Sequence, residues 1–222
     1  HDDNNQDRRE RIWSLQLLRD GIIDEYSYKV VSRRHVIELL MSSFDGFCHH
    51  NRTNVYQGKQ SFSYETECNL IIAILQRCFS CGGLTCYNHL FKSMGLISWI
   101  QMMIESHSEL SYINLKFFQM VFSALQAIKQ CIQSNPEETS ELLFIDVIAL
   151  CQSIMSACET KFSGPHCKSS SVYVLSTTLS GILALSREVH EEMASNQQIM
   201  FEPCNNGIHM TSAMKFLKSI EH

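Results

Sequence analysis

The sequence contains few residues that break helices, with only 3 proline and 9 glycine among 222 residues. β-Sandwiches and β-barrels need many turns, and turns are rich in these two residue types, so their scarcity argues against both architectures. Helices need fewer breaks, and hydrophobic residues make up 45% of the chain, which is enough for one domain with a real core. The composition therefore favours an all-α protein.

The patterns of common catalytic sites are also missing. The chain has no P-loop, no dinucleotide-binding fingerprint, no His-Glu-x-x-His and no nucleophile elbow. His35 stands between Arg34 and Val36, and the sequence places no nucleophile beside it, so we interpret it as a polar helix histidine. We predict that the protein is not an enzyme, needs no cofactor and has no small-molecule substrate.

Long apolar runs and an excess of positive charge are absent as well. No apolar run reaches the roughly 18 residues of a membrane span. The N-terminal stretch HDDNNQDRRERIW lacks an initiator methionine and the apolar segment of a signal peptide, as expected for a region cut from a longer chain. The net charge is -5, with 18 Lys+Arg against 23 Asp+Glu. Any contact with nucleic acid would therefore have to be local.

Apolar residues recur at helical spacing along most of the chain. The spacing predicts about eight helices, over approximately 8–20, 26–44, 64–80, 84–93, 96–106, 112–133, 135–162 and 172–193, together with a short terminal helix over 211–220. The polar stretch 45–62 is predicted to be a flexible loop, and 112–133 is apolar nearly all round, which is typical of a central helix. No repeat of clear period is visible. We predict a single irregular armadillo/HEAT-like helical-repeat domain, an α-solenoid, over 1–222.

A cluster of possible metal ligands lies in the stretch RCFSCGGLTCYNHLF, with Cys78, Cys81, Cys86 and His89. The residue types suit zinc, and Gly82-Gly83 could form the reversing loop of a zinc knuckle. A redox pair of Cys78 and Cys81 is a second possibility. The third possibility is a reduced helix–loop–helix, because Cys78 and Cys81 continue the apolar stripe of the preceding helix. We favour this last interpretation and predict no metal.

The closest approach to a basic patch comes from the first two predicted helices, with Lys29, Arg33, Arg34, Arg8, Arg9, Arg11 and Arg19. Lys29 and Arg33 are four residues apart and share a helical face. Such a face could bind phosphates or an acidic partner. Acidic residues are interleaved, however, and an ordinary solvated face is the simpler interpretation. We predict that Lys29, Arg33 and Arg34 make any such contact, and that Trp13 and Trp99 are core anchors.

Two segments together resemble a known family. RIWSLQLLRDGIIDEYSYKVVSRRHVIELLMSSF, from Arg11 to Phe44, is similar to the start of the C-terminal region of nucleolar pre-ribosomal-associated protein 1. LFKSMGLISWIQMMI, from Leu90 to Ile104, is similar to the Gly-Leu-Leu-Ser-Trp-Leu phrase of the same family. The order of the two segments and the distance between them also fit. The stretch after Ser111 resembles the family only in its helical character.

The resemblance implies a helical-repeat scaffold in the nucleolus that helps to assemble early precursors of the large ribosomal subunit. Its expected partners are other assembly factors and pre-ribosomal RNA. The resemblance carries no catalytic residues over to this chain. A helical-repeat domain that binds only proteins, without a role for RNA, remains the alternative.

Overall fold

Helices account for every regular element that the structure, a computed structural model, describes. The described residues are 2–56, 64–107, 115–135, 141–162 and parts of 181–192. The elements are α1 (Asp2–Gly21), α2 (Glu25–Arg33), α3 (Val36–Tyr56), α4 (Glu65–Cys81), α5 (Gly83–Cys86), a π-helical segment (Tyr87–Ser93), α6 (Leu96–His107), α7 (Leu115–Ser134) and α8 (Glu141–Phe162). The predicted all-α class is confirmed, whereas the helical-repeat arrangement stays a prediction. The helix predicted over 211–220 lies outside the described residues.

The helix predicted over 26–44 is wrong, because the chain breaks between α2 and α3. His35 has a φ of 54°, a left-handed conformation that an α-helix cannot contain. The last turn of α2 is tightened by a hydrogen bond from the Arg34 N–H to the Val31 carbonyl, and the His35 N–H donates likewise to Ser32. The break sends α2 and α3 in different directions, so that α2 presents a face of its own.

The loop predicted over 45–62 is also wrong for residues 45–56, which lie within α3. Phe44 and Cys48 are both fully buried and four residues apart, so they continue one apolar stripe through the polar sequence. Between them, the ring of Phe47 stacks on Tyr64 with the centroids 4.5 Å apart. These three contacts outweigh the low helical propensity of the neighbouring Asp, Gly, His and Asn residues. Residues 57–62 lie outside the described part of the chain.

Helices α4 and α7 form the centre of the described core. Helix α4 contacts α1, α3 and α7, while α6 lies against α8. Helix α7 buries eight residues along its length, in agreement with the central position predicted for it. An aromatic cluster of Phe44, Trp99, Phe117 and Phe118 joins α3, α6 and α7. No described helix combines the length and the apolar character that crossing a membrane requires.

The two tryptophans have opposite environments. Trp99 is partly buried against the core, where its ring meets Phe44 edge-on at 5.7 Å, so its predicted role as an anchor is confirmed. Trp13 is 62% exposed, and its predicted core position is wrong. The reason is the geometry of α1, which turns Ile12 and Leu15 toward α4 and therefore carries Trp13 and Leu17 on the opposite side.

Candidate nucleic-acid interface

The start of α2 is set by a capping box between Asp24 and Ser27. The Ser27 N–H donates to Asp24 Oδ1 at 2.8 Å, and the Asp24 N–H donates to Ser27 Oγ at 3.0 Å. The hydrogen bonds from the backbone and the side chain of Ser27 hold the pKa of Asp24 below its usual value. Because both ends of α2 are defined, by this box and by the turn at His35, its exposed face has a fixed orientation.

Tyr28 fastens the inner side of α2. Its side chain is fully buried, and its hydroxyl lies 2.8 Å from Nδ1 of His89 in the π-helical segment. Burial raises the pKa of Tyr28. With Tyr28 directed inward, helical spacing places Tyr26, Lys29, Val30 and Arg33 toward solvent.

The three predicted contact residues differ in how free their charges are. Lys29 Nζ forms an ion pair with Glu25 Oε1 at 3.0 Å, and Glu25 also accepts a hydrogen bond from Thr85. The bonds from Thr85 and then Lys29 lower the pKa of Glu25. Arg33 and Arg34 are exposed, and neither has an ion-pair partner among the described residues. The strongest available positive charge therefore lies at the C-terminal end of α2.

The other basic residues of the predicted patch do not join this face. Arg8 and Arg11 turn toward the fully buried carboxylate of Glu67 on α4, at 3.0 and 3.9 Å. Arg19 is paired with its neighbour Asp20 at 2.8 Å. The structure thus brings Lys29, Arg33 and Arg34 together. Arg8, Arg11 and Arg19 make contacts within the fold, whereas Arg9 is exposed on α1.

Sequence reasoning missed the apolar residues on this face. Tyr26 is 75% exposed, while Ile23 and Val30 are also largely in water. The apolar pattern alone gives these residues no outward role, because apolar residues lie on more than one side of α2. The spacing contained a usable signal, since Tyr26, Val30 and Arg33 share one side whereas Tyr28 and Val31 share another. We name Tyr26, Lys29, Val30, Arg33 and Arg34 the α2 face.

His35 lies beside the α2 face rather than in a reaction centre. Its Nδ1 is 3.0 Å from Glu38 Oε1 in the first turn of α3. Burial raises the pKa of Glu38, but the hydrogen bond from His35 and the nearby charge of His89 outweigh it, so that the pKa is lowered overall. The contact supports the start of α3. His35 is polar as predicted, but it lies in the turn between α2 and α3, so its predicted place within a helix is wrong.

The cysteine cluster forms a tight turn between two helices. A Cβ on Gly82 would lie 2.2 Å from the Cβ of Cys86, and Gly83 has a φ of 51°, so both positions require glycine. Cys78 and Cys86 are buried, and the Cys81 thiol points to the Ile22 carbonyl at 3.8 Å. No group of three or more His, Cys, Asp or Glu within the described residues is arranged to hold a metal ion.

The buried thiols of this cluster are expected to be unreactive. Burial raises the pKa of Cys86 to about 12, and it raises the pKa of Cys78 as well. Since only the thiolate attacks alkylating agents, Cys78 and Cys86 should stay unlabelled by iodoacetamide at pH 8, while the partly exposed Cys81 reacts. Mass spectrometry of the labelled native protein tests this, with the urea-unfolded chain as the control. Protection that disappears on adding a chelator would instead indicate a bound metal.

The described fold is all-helical, and the α2 face is a small cationic surface on it. The comparison with known families is more particular: residues 1–99 match the sequence model of nucleolar pre-ribosomal-associated protein 1. The match covers less than half of the chain, and it confirms the predicted resemblance to that family and the nucleolar location. The matched residues include α1 to α5, the π-helical segment and the whole α2 face. Neither the curated proteins nor the solved structures gave a match.

Proposed function

We propose that this protein is a non-enzymatic scaffold in the assembly of the large ribosomal subunit, and that its α2 face contacts pre-ribosomal RNA. The nucleolar pre-ribosomal family of residues 1–99 supports the setting. The subunit and the partner assembly factors follow from the sequence resemblance alone.

The observation that carries the proposal is the pair of exposed guanidinium groups at Arg33 and Arg34, one turn after Lys29. Guanidinium groups match phosphate oxygens with two parallel hydrogen bonds, and they stay charged at any physiological pH. A chain with a net charge of -5 does not attract nucleic acid over its whole surface. A local cluster of free cations is therefore where an RNA backbone would be held.

Reversing these charges tests the proposal directly. We expect the 222-residue protein to bind single-stranded RNA with a log–log salt slope of about -2, as three phosphate contacts produce. The variant Lys29→Glu/Arg33→Glu/Arg34→Glu should bind at least about tenfold more weakly at low salt, with a slope near zero. Fluorescence anisotropy with a labelled RNA at several salt concentrations measures both quantities.

The matched control carries the same change of net charge at exposed cations elsewhere, in Arg9→Glu/Arg77→Glu/Lys116→Glu. It should retain most of the RNA affinity and the wild-type salt slope. Equal losses in the two variants would mean that only net charge matters, and the assignment of the contact to α2 would be wrong. No RNA binding by the wild type would contradict the proposed function itself.

A second candidate function, binding of proteins without RNA, is favoured by one observation. Trp13 and Leu17 lie one turn apart on the solvent side of α1, and both are more than half exposed. Exposed tryptophan is enriched at the centres of protein interfaces. Partner proteins that stay bound in high salt, with no RNA among them, would favour this candidate over the first.

A further inference from the structure

The side chain of Tyr26 is the most exposed large apolar group in the described part of the chain, at 75%. Tyr28, two residues later, is buried and packs in the core. The exposed Tyr26 is not needed to hold α2 against the fold. The phenol ring lies on the α2 face, with Val30 one turn away and Arg33 two turns away. A planar aromatic surface is thus held among cations on a helix of defined orientation.

The arrangement combines two functions that single-stranded RNA requires of a binding surface. Unpaired bases offer flat faces that stack on aromatic rings, while their phosphates pair with lysine and arginine. Tyr26 and Arg33 are about 10 Å apart along the helix axis, at 1.5 Å per residue. A short run of nucleotides can therefore reach both groups at once.

We propose that Tyr26 stacks on an unpaired base while Arg33 and Arg34 hold the adjacent phosphates, so that the α2 face selects single-stranded over duplex RNA. This inference rests on the proposed function, since it needs RNA as the ligand. In a duplex the faces of the bases are covered by their neighbours, and the ring of Tyr26 has nothing to stack on. Only the phosphate contacts would remain.

The shape of the surface favours RNA over an acidic peptide. Helix α2 contacts α3, α4 and α5 with its other sides, so the α2 face is the outward surface of one helix. Peptide side chains gain affinity by filling recesses, whereas a base needs only a flat ring beside a cation. Arginine also adds planar stacking of its own, which lysine does not.

The test uses three probes of equal length: a mixed-sequence 12-nucleotide RNA, its duplex with the complementary strand, and an abasic strand with the same phosphates. Tyr26→Ser should weaken binding of the single strand about tenfold, the loss expected for one base–aromatic stack. Binding of the duplex and of the abasic strand should not change. Tyr26→Phe keeps the ring and should keep the wild-type affinity.

The outcomes separate this inference from the proposed function. Full affinity of Tyr26→Ser for the single strand, together with a loss in Lys29→Glu/Arg33→Glu/Arg34→Glu, would overturn the stacking and leave the RNA contact standing. Equal wild-type affinity for single strand and duplex would also overturn it. Binding of a poly-glutamate peptide but of none of the RNA probes would overturn both. Tyr26 is exposed, so circular dichroism of each variant should match the wild type.

Discussion

Replacing Phe117 by alanine is expected to lower the free energy of unfolding by about 4 kcal/mol, as found for buried phenylalanine in other cores. Phe117 is fully buried in α7 and lies at the junction of three other aromatic rings. Its centroid is 6.0 Å from that of Phe44, 6.5 Å from Trp99 and 6.0 Å from Phe118. The cavity would remove contacts to α3 and α6 together. The surrounding helices could close it only by shifting from their positions and losing other contacts.

Urea denaturation followed by circular dichroism measures this loss, and the thermal midpoint should fall by about 10 °C in a chain of this size. Phe122→Ala, in the same helix, is the matched control, because that side chain is only partly buried. It should lose about half as much or less. Equal losses in the two variants would contradict the central position assigned to Phe117.

Breaking the ion pair between α1 and α4 is expected to have the second largest effect. The carboxylate of Glu67 is fully buried, with Arg8 Nε at 3.0 Å from Oε1 and Arg8 NH2 at 3.3 Å from Oε2. Among the described residues, Arg8→Met leaves this buried charge with the more distant Arg11 as its remaining cation, at 3.9 Å. We expect a loss of about 3 kcal/mol, since an uncompensated buried charge is costly.

The double variant Arg8→Met/Glu67→Leu separates the desolvation cost from a general loss of packing. It removes the charge as well as its partner, so most of the lost stability should return. Arg19→Met breaks an exposed pair with Asp20 and should leave the urea midpoint unchanged. If the double variant is less stable than Arg8→Met alone, the pair contributes through packing of its methylene groups instead, and the buried-charge explanation is wrong.

The helical character of the chain could be predicted because it depends on local spacing. The stripe through Ile71, Ile74, Leu75 and Cys78 predicted α4, and the structure places that helix at 65–81 with these residues buried. Gly82 and Gly83 ended it as expected, and Gly95, with a φ of 63°, marks the next boundary. In these cases the apolar period and the breakers agree within one turn of sequence.

The candidate site was predicted only in part. Lys29 and Arg33 share a face because four residues make about one turn, and that relation needs no tertiary information. The pairing of Arg8 and Arg11 with Glu67 could not be predicted, because the partners are far apart in the sequence. Arg8 and Glu67 are separated by 59 residues. That pairing is what removes Arg8 and Arg11 from the predicted patch of seven cations.

The sequence by itself determined the all-α class, most of the helix positions and the resemblance of residues 1–99 to a nucleolar pre-ribosomal family. Only the tertiary structure decided which apolar residues point outward: Trp13 and Tyr26 lie in water, while Trp99 and Tyr28 contact the core. It also decided that residues 45–56 are helical and that the chain turns at His35. Local periodicity determines which residues share one side of a helix. Which side is buried depends on neighbours that come from distant parts of the chain.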